Sequence, residues 1–291
     1  MQAIPTTALC AILRNELRGV VEWLAHYKAL GVDEFLIYDN ASDDGTEALL
    51  QALAEAGEIT LIPWPHTVGE RPQRLAYADA RKRARADWLA FFDADEFLLL
   101  RDDSNLGGFL QRFDDSVSAV AVNWVVFGSG GQAAYRPAPV IERFTDALPD
   151  GAAPNHQVKA IGRRDRLAGT GIHRVDPAFG RYVMPSGVDA AFANLHSVRR
   201  RDVGVAALHH YAVKSQEEFA EKRQRGHANS QDPGRKRDRL DAALAEFDAG
   251  GVENTDMLVW AGRMRAEASR LQSILEAQGI RPAVWPFTDH R

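Results

Sequence analysis

Between residues 9 and 92 the sequence alternates between two hydrophobic periods, and that alternation limits the chain to very few architectures. Leu9 to Leu13 is a short, fully apolar run suited to a strand covered on both faces. Arg18 to Leu30 then sets Val20, Val21, Leu24, Tyr27 and Leu30 at helical spacing, and Gly31 ends it. The pattern repeats: a strand at Glu34 to Tyr38, a helix at Thr46 to Ala56 closed by Gly57, and a strand at Ile59 to Ile62 stopped at Pro63. A third helix at Arg71 to Ala86 leads to a fourth strand at Trp88 to Phe92. Strand-helix units in this order predict an α/β fold, a mostly parallel sheet with helices on both faces. Ligands of such sheets bind outside the carboxyl ends of the strands. Two acidic loops, at Asp39 and at Asp93, fall at such ends.

Beyond Leu100 the pattern changes. Ala119 to Phe127 reads as a fifth strand running into the glycine-rich turn Gly128-Ser129-Gly130-Gly131. Gln132 to Ala207 has no helical period and predicts short strands and long loops that build the rest of a cleft. Helices are expected at Glu217 to Gly226, Arg237 to Phe247 and Thr255 to Gln278, with the tail Pro282 to Arg291 packed back on the body. The chain has 291 residues, 45% of them hydrophobic, which is enough to bury a large core. Its net charge of -5 argues against a general nucleic-acid binder. The single cysteine, Cys10, excludes an intrachain disulfide and a cysteine-built zinc site, and its apolar setting predicts a buried thiol. The first residues lack the pattern of a signal peptide, and no apolar stretch approaches the roughly 20 residues of a membrane span, so a cytoplasmic protein is expected. Peripheral membrane contact stays open, and the sequence does not fix the oligomeric state.

The sharpest chemical signal is Phe91-Phe92-Asp93-Ala94-Asp95-Glu96-Phe97, where three acids interrupt a strongly apolar run. Adjacent carboxylates near a core repel one another unless a cation holds them. Oxygen ligands suit Mn²⁺ or Mg²⁺, which commonly bridge one or two carboxylates to substrate phosphates. The second signal, Asp39-Asn40-Ala41-Ser42-Asp43-Asp44-Gly45-Thr46, contains turn and capping residues. Those roles do not account for an acid at the very end of a strand, where Asp39 can accept bonds from a uracil or ribose edge.

Together these motifs resemble the GT-A glycosyltransferases, in the family 2-like branch close to family 92. The match runs through Arg14-Asn15-Glu16, Glu22-Trp23-Leu24-Ala25-His26-Tyr27, the Asp39 to Thr46 loop, Gln73, the Asp93 to Phe97 element and Asn123-Trp124-x-x-Phe127-Gly128. It ends at His210-Tyr211-x-x-Lys214-Ser215-x-x-Glu218-Phe219-x-x-Lys222. The resemblance implies a GT-A domain over residues 1–226, with 1–130 as its nucleotide-sugar half and 131–226 as its acceptor half, followed by a helical extension over 227–291. It also implies a metal-dependent transfer of sugar from a nucleotide-sugar, UDP before GDP, to a glycan or other hydroxyl acceptor. Asp39 would contact the base, with Asn15, Glu16 and Gln73 in the same donor site. Asp93 and Asp95 would serve the ribose and the metal as the catalytic acids. His210 would complete the metal site, although the doublet His209-His210 leaves the assignment ambiguous by one residue.

In that context Lys222 and Arg225, in the basic stretch with Lys214 and Arg223, become candidate phosphate contacts, since a departing diphosphate needs positive charge. Arg199-Arg200-Arg201 reads instead as a solvated run. An inverting transfer needs a base for the acceptor hydroxyl. Glu142, Asp165, Asp176 and Asp189 all lie in the acceptor-side region, but none sits in an acidic doublet that would mark it, so the base stays unassigned. His173 resembles a family position in the same region. Two rivals remain: a nucleotidyltransferase on a related sheet, for which Arg14 to Gly19 is a poor phosphate loop, and a sugar-nucleotide-binding module without catalysis.

Overall fold

The computed structural model describes residues 3–65, 71–225 and 244–281. The expected alternation is present, each element falling within a few residues of its place in the sequence. It runs β1 (Thr7–Leu13), α1 (Val20–Ala29), β2 (Glu34–Asp39), α2 (Thr46–Glu55), β3 (Thr60–Pro63), α3 (Pro72–Arg83) and β4 (Trp88–Phe91). There follow β5 (Glu96–Leu100), α4 (Leu106–Gln111), β6 (Val117–Val126), α5 (Val140–Arg143), β7 (Asp146–Ala147) and β8 (Val158–Arg163). A hairpin of β9 (Leu167–Thr170) and β10 (Val175–Pro177) leads to β11 (Arg181–Val183), β12 (Ala206–His210) and α6 (Gln216–Arg225). Short β13 (Val252–Glu253) pairs with β7, ahead of the last described helix, Ala261–Ala277.

The main sheet has the order β3-β2-β1-β4-β8-β6-β12-β5, with β11 alongside β6. Its first four strands are parallel neighbours. β8 is antiparallel to both β4 and β6, β12 is parallel to β6, and β5 is antiparallel to β12. The mostly parallel α/β sheet that the sequence predicts is therefore present, and all its strands but the edge strands β3 and β11 are almost wholly buried. β5 is not visible in the sequence period, because Glu96 to Leu100 is buried throughout and shows no alternation.

That strand explains the curvature of the sheet. Along the hydrogen-bonded order β4 and β5 stand four strand spacings apart, about 19 Å in a flat sheet. Only Phe92, Asp93, Ala94 and Asp95 join them, and part of that link is a turn closed by Glu96 N–H donating to Asp93 O at 3.1 Å. So short a link is possible only because the sheet curls and brings its two halves together. The acidic triplet thus lies across the closure, beside the carboxyl ends of β4 and β12.

The Thr255 to Gln278 stretch divides into a 3₁₀ turn, Asp256–Trp260, which buries Met257 and Trp260, and the helix Ala261–Ala277. This helix is part of the main body. Met264, Ala268, Leu271 and Leu275 are fully buried in the same core as Trp23, Leu24 and Leu49. Arg270 pairs with Glu58, and Gln278 Nε2 donates to Ala52 O at 3.0 Å. Cys10 is buried in β1, as expected. The helix expected at Arg237 to Phe247, apart from residues 244–247, and the tail from Pro282 lie outside the described residues. Among the described residues no helix is long and apolar enough to cross a membrane.

Candidate functional site

The acidic loop after β2 is folded by its own side chains. Asn15, at φ 54°, donates from Nδ2 to Asp43 Oδ1 at 2.7 Å and accepts from Asp43 N–H at 2.9 Å. Glu16 N–H donates to Thr46 Oγ1 and Asp44 Oδ1 accepts from Thr46 N–H, both at 2.9 Å. Gly45 turns the chain into α2 at φ 102°, a conformation that favours glycine. Asp39 is nearly fully buried at the end of β2: its Oδ2 accepts from Ser42 N–H at 3.1 Å. Its Oδ1 has no hydrogen-bond partner among the described residues. A buried carboxylate oxygen without a donor is costly, so Asp39 suits a ligand that brings an N–H or O–H.

Asp93 and Asp95 follow β4 but face different surroundings. Asp93 Oδ2 accepts from Lys159 Nζ at 2.8 Å, and its Oδ1 from Gln73 Nε2 at 2.8 Å and Tyr77 OH at 3.2 Å. Lys159, on β8, is wholly buried, and Glu96 Oε2 lies 3.5 Å from its ammonium while accepting from Asp93 N–H at 2.8 Å. Burial pushes the Asp93 carboxyl up, but the Lys159 ammonium outweighs it and holds the group below the usual carboxylate range. Burial pushes Glu96 well above that range, with Asp93 and Asp95 adding to the shift against the pull of Lys159. Lys159 itself loses to burial but gains more from Asp93 and Glu96, so its pKa is raised. Lys159 thus draws its charge partner from Asp93, while burial disfavours charge on Glu96.

Asp95 turns the other way, into the cleft. Its Oδ1 faces His210 Nε2 at 3.5 Å, beyond a well-formed hydrogen bond, and its Oδ2 accepts from Lys222 Nζ at 2.6 Å. Burial raises the Asp95 carboxyl, but Lys222 and His210 more than reverse this and hold it well below the usual range. His210 is the member of the doublet that faces Asp95. Its ring packs on Trp124 with centroids 4.1 Å apart, and Phe247 lies 6.1 Å away. His209 points into the core against Phe127, and burial pushes it down to about 3.

The expected metal set is therefore divided. Asp95, which lines the cleft, and His210 behind it bring an oxygen and a nitrogen within 3.5 Å of each other, a donor pair that fits Mn²⁺ or Mg²⁺ completed by water and phosphate. Both Asp93 oxygens already accept hydrogen bonds from the protein. Among the described residues no group of three or more His, Cys, Asp and Glu side chains converges as a metal cage. A cleft of about 460 Å³ opens beside Asp95, lined by Asn15, Glu16, Arg18, Asp44, Lys214 and Lys222 among others. Lys222 thus lines the cleft as the sequence anticipates, but here its ammonium is on Asp95. The side chain of Arg225 lies outside the described residues.

The carboxylates weighed as a base are placed elsewhere. Glu142 pairs with Arg265 of the last helix, and Asp189 with Arg181 at 2.8 Å. Asp165 and Asp176 are exposed on the turn after β8 and on β10. None of the four lines the cleft beside Asp95. His173 does come close to the site: its ring lies 5.4 Å from Trp124, and Nδ1 is 3.2 Å from Val158 O. Burial and Lys159 push His173 down to about 3, leaving it neutral.

One expectation needs correction. Arg201 is not solvated: its guanidinium donates to Asn155 O at 3.0 Å, Asp150 O at 2.7 Å and Trp124 O at 3.1 Å, tying a 3₁₀ turn and a loop to strand β6. Arg199 and Arg200 are exposed as expected. Asn123 supports structure, since its Oδ1 accepts from Asp202 N–H at 2.9 Å inside the core, and Trp124 is the residue that faces the site.

The helix that carries Lys222 is anchored by a buried pair. Arg143 Nη1 and Nη2 donate to Glu218 at 2.8 and 2.9 Å, and Ser215 Oγ donates to Glu218 Oε2 at 2.7 Å. Burial raises Glu218, but Arg143 and Lys214 outweigh it and bring the group down to about 2. A depressed carboxyl contributes stability that is complete above the unfolded value near 4.5 and is lost as pH falls toward 2. Urea midpoints measured from pH 6 to pH 2.5 should therefore lose up to about 3 kcal/mol through this group. Glu218→Gln should be less stable at pH 6 and show a shallower acid decline. An unchanged slope would remove Glu218 as the source.

A family model, glycosyltransferase family 92, matches residues 12–239. A family 92 protein of Oryza sativa subsp. japonica is 30% identical over 164 residues, covering 55% of this chain and 27% of that protein. One from Ricinus communis is 32% identical over 127 residues, covering 42% and 23%. The chain thus spans about a quarter of the length of these curated relatives. Among solved structures, a mannosyltransferase from Pyrobaculum calidifontis in complex with GDP-mannose and Mn²⁺ has a TM-score of 0.44 and 15% identity, covering 97% of this chain and 77% of that one. A glucosyl-3-phosphoglycerate synthase from Mycobacterium tuberculosis, with Mn²⁺, UDP-glucose and phosphoglyceric acid, has a TM-score of 0.35 and 17% identity, covering 68% and 73%.

Proposed function

The chain belongs to glycosyltransferase family 92, and from that membership we propose that it transfers a sugar from a nucleoside-diphosphate sugar to a hydroxyl acceptor with a divalent cation at Asp95 and His210. UDP is proposed before GDP as the nucleotide, and inversion before retention. The observation that carries the reading is the approach of Asp95 Oδ1 to His210 Nε2 at the edge of a cleft to which Arg18, Lys214 and Lys222 bring positive charge among several carboxylates. Bound Mn²⁺ or Mg²⁺ would supply positive charge against the diphosphate as the sugar-phosphate bond breaks. The remaining work falls to this chain's own groups. Asp39 Oδ1 accepts from the base or ribose. Lys214 and Lys222 line the cleft that takes the phosphates, and Lys159, Gln73 and Tyr77 keep Asp93 in one position. Trp124 gives the sugar an apolar face beside His210.

A thermal-shift panel of UDP, GDP, ADP and their sugars, each with and without Mn²⁺, tests this. One nucleotide family should raise the melting temperature by roughly 5 °C at about 100 times its Kd, and only with metal present. Release of free nucleotide from that sugar donor should follow. A chain that binds the nucleotide-sugar but never releases nucleotide is a binding module, and one that makes nucleotide-sugar from sugar phosphate and nucleoside triphosphate is a nucleotidyltransferase.

A further inference from the structure

Asp93 and Asp95 each carry a lysine, but the two lysines differ in freedom. Lys159 is wholly buried between Asp93 and Glu96, on a central strand. Lys222 is part-exposed on α6, lines the cleft, and reaches Asp95 Oδ2 at 2.6 Å while also donating to Ala212 O at 2.9 Å. Its ammonium therefore satisfies half of the carboxylate whose other oxygen faces His210. A divalent cation approaching Asp95 meets a ligand already neutralised, and an ammonium repels it at close range. Moving Lys222 away gives up its 2.6 Å contact with Asp95 for water unless another anion takes its place. A diphosphate in the cleft provides that anion.

We propose that Lys222 is a built-in competitor of the divalent cation, holding Asp95 in the nucleotide-free protein and passing its ammonium to the donor's diphosphate when cation and donor arrive together. The proposal rests on the reading of Asp95 and His210 as the cation's ligands. Lys159 differs, because it is wholly buried and does not line the cleft. Cation and nucleotide then bind with reciprocal coupling, each raising the affinity of the other.

The test titrates Mn²⁺ into the nucleotide-free full chain and reads free Mn²⁺ by electron paramagnetic resonance. Lys222→Met should bind Mn²⁺ about tenfold tighter than the wild type, and Lys222→Arg, which keeps the charge, should stay weak. Circular dichroism melting of the three proteins reports whether each is folded. Equal or weaker Mn²⁺ binding by folded Lys222→Met overturns the proposal. With UDP added, wild-type Mn²⁺ affinity should rise, and the gain should shrink in Lys222→Met. A wild type indifferent to UDP and GDP, alongside a Lys222→Met protein that still gains Mn²⁺ affinity, keeps the competition and removes the donor reading instead.

Discussion

Asp95→Asn is expected to lower sugar transfer by at least about 100- to 1,000-fold while leaving the melting temperature within a few degrees of the wild type. The substitution keeps the shape of the side chain and removes its charge. Asp95 is the carboxylate that faces His210 across 3.5 Å, so the loss falls on the proposed cation pair. Losing the charge support of one cation ligand costs roughly 3–4 kcal/mol at the transition state, which is the stated range in rate. Folding should be insensitive, because the carboxylate also repels Asp93, and Lys222 is part-exposed and can turn to water. Initial-rate kinetics with and without added Mn²⁺ provide the measurement. Transfer at wild-type rate by Asp95→Asn removes Asp95 from the site. Collapse of the fold would instead make it a structural acid.

Lys159→Met should act in the opposite way, on folding first. Lys159 is fully buried, with Asp93 at 2.8 Å and Glu96 at 3.5 Å. Removing one partner of a buried pair leaves an uncompensated charge and typically costs 3–5 kcal/mol. For a chain of this size that corresponds to a fall in melting temperature of roughly 5–8 °C. Asp93→Asn in the same chain removes the stranded charge and should recover most of the loss, since Glu96 is held toward its neutral form. Denaturant melts of the single and double variants decide the matter. A loss below about 1 kcal/mol for Lys159→Met would mean that the buried triad is not what fixes the turn.

These two residues also mark where the sequence was readable. The first four strands and three helices follow from period and glycine placement, since each is a local pattern with a clear stop. The acidic loops can be placed at strand ends for the same reason, and Asp39 and Asp95 are legible there as chemistry-bearing residues, whereas His210 stands out only through the family resemblance. Lys159 was missed. Its signal, one lysine inside the buried run Val158 to Ile161, becomes meaningful only when a partner is known, and that partner lies 66 residues away. β5 was hidden because burial on both faces erases alternation. Arg201 was misjudged because a run of three arginines shows no sign of which one meets backbone carbonyls. Glu142, Asp176 and Asp189 were singled out by residue type and region, but position in three dimensions separates them from the cleft.

The last described helix, Ala261–Ala277, shows that kinship and cooperativity have different limits. The family match stops at residue 239, yet Met264, Ala268, Leu271 and Leu275 fill the same interior as α1. Packing on that interior asks of the helix only an apolar stripe of the right spacing, a demand that many sequences meet. A boundary drawn from shared descent would therefore cut through a single folding unit.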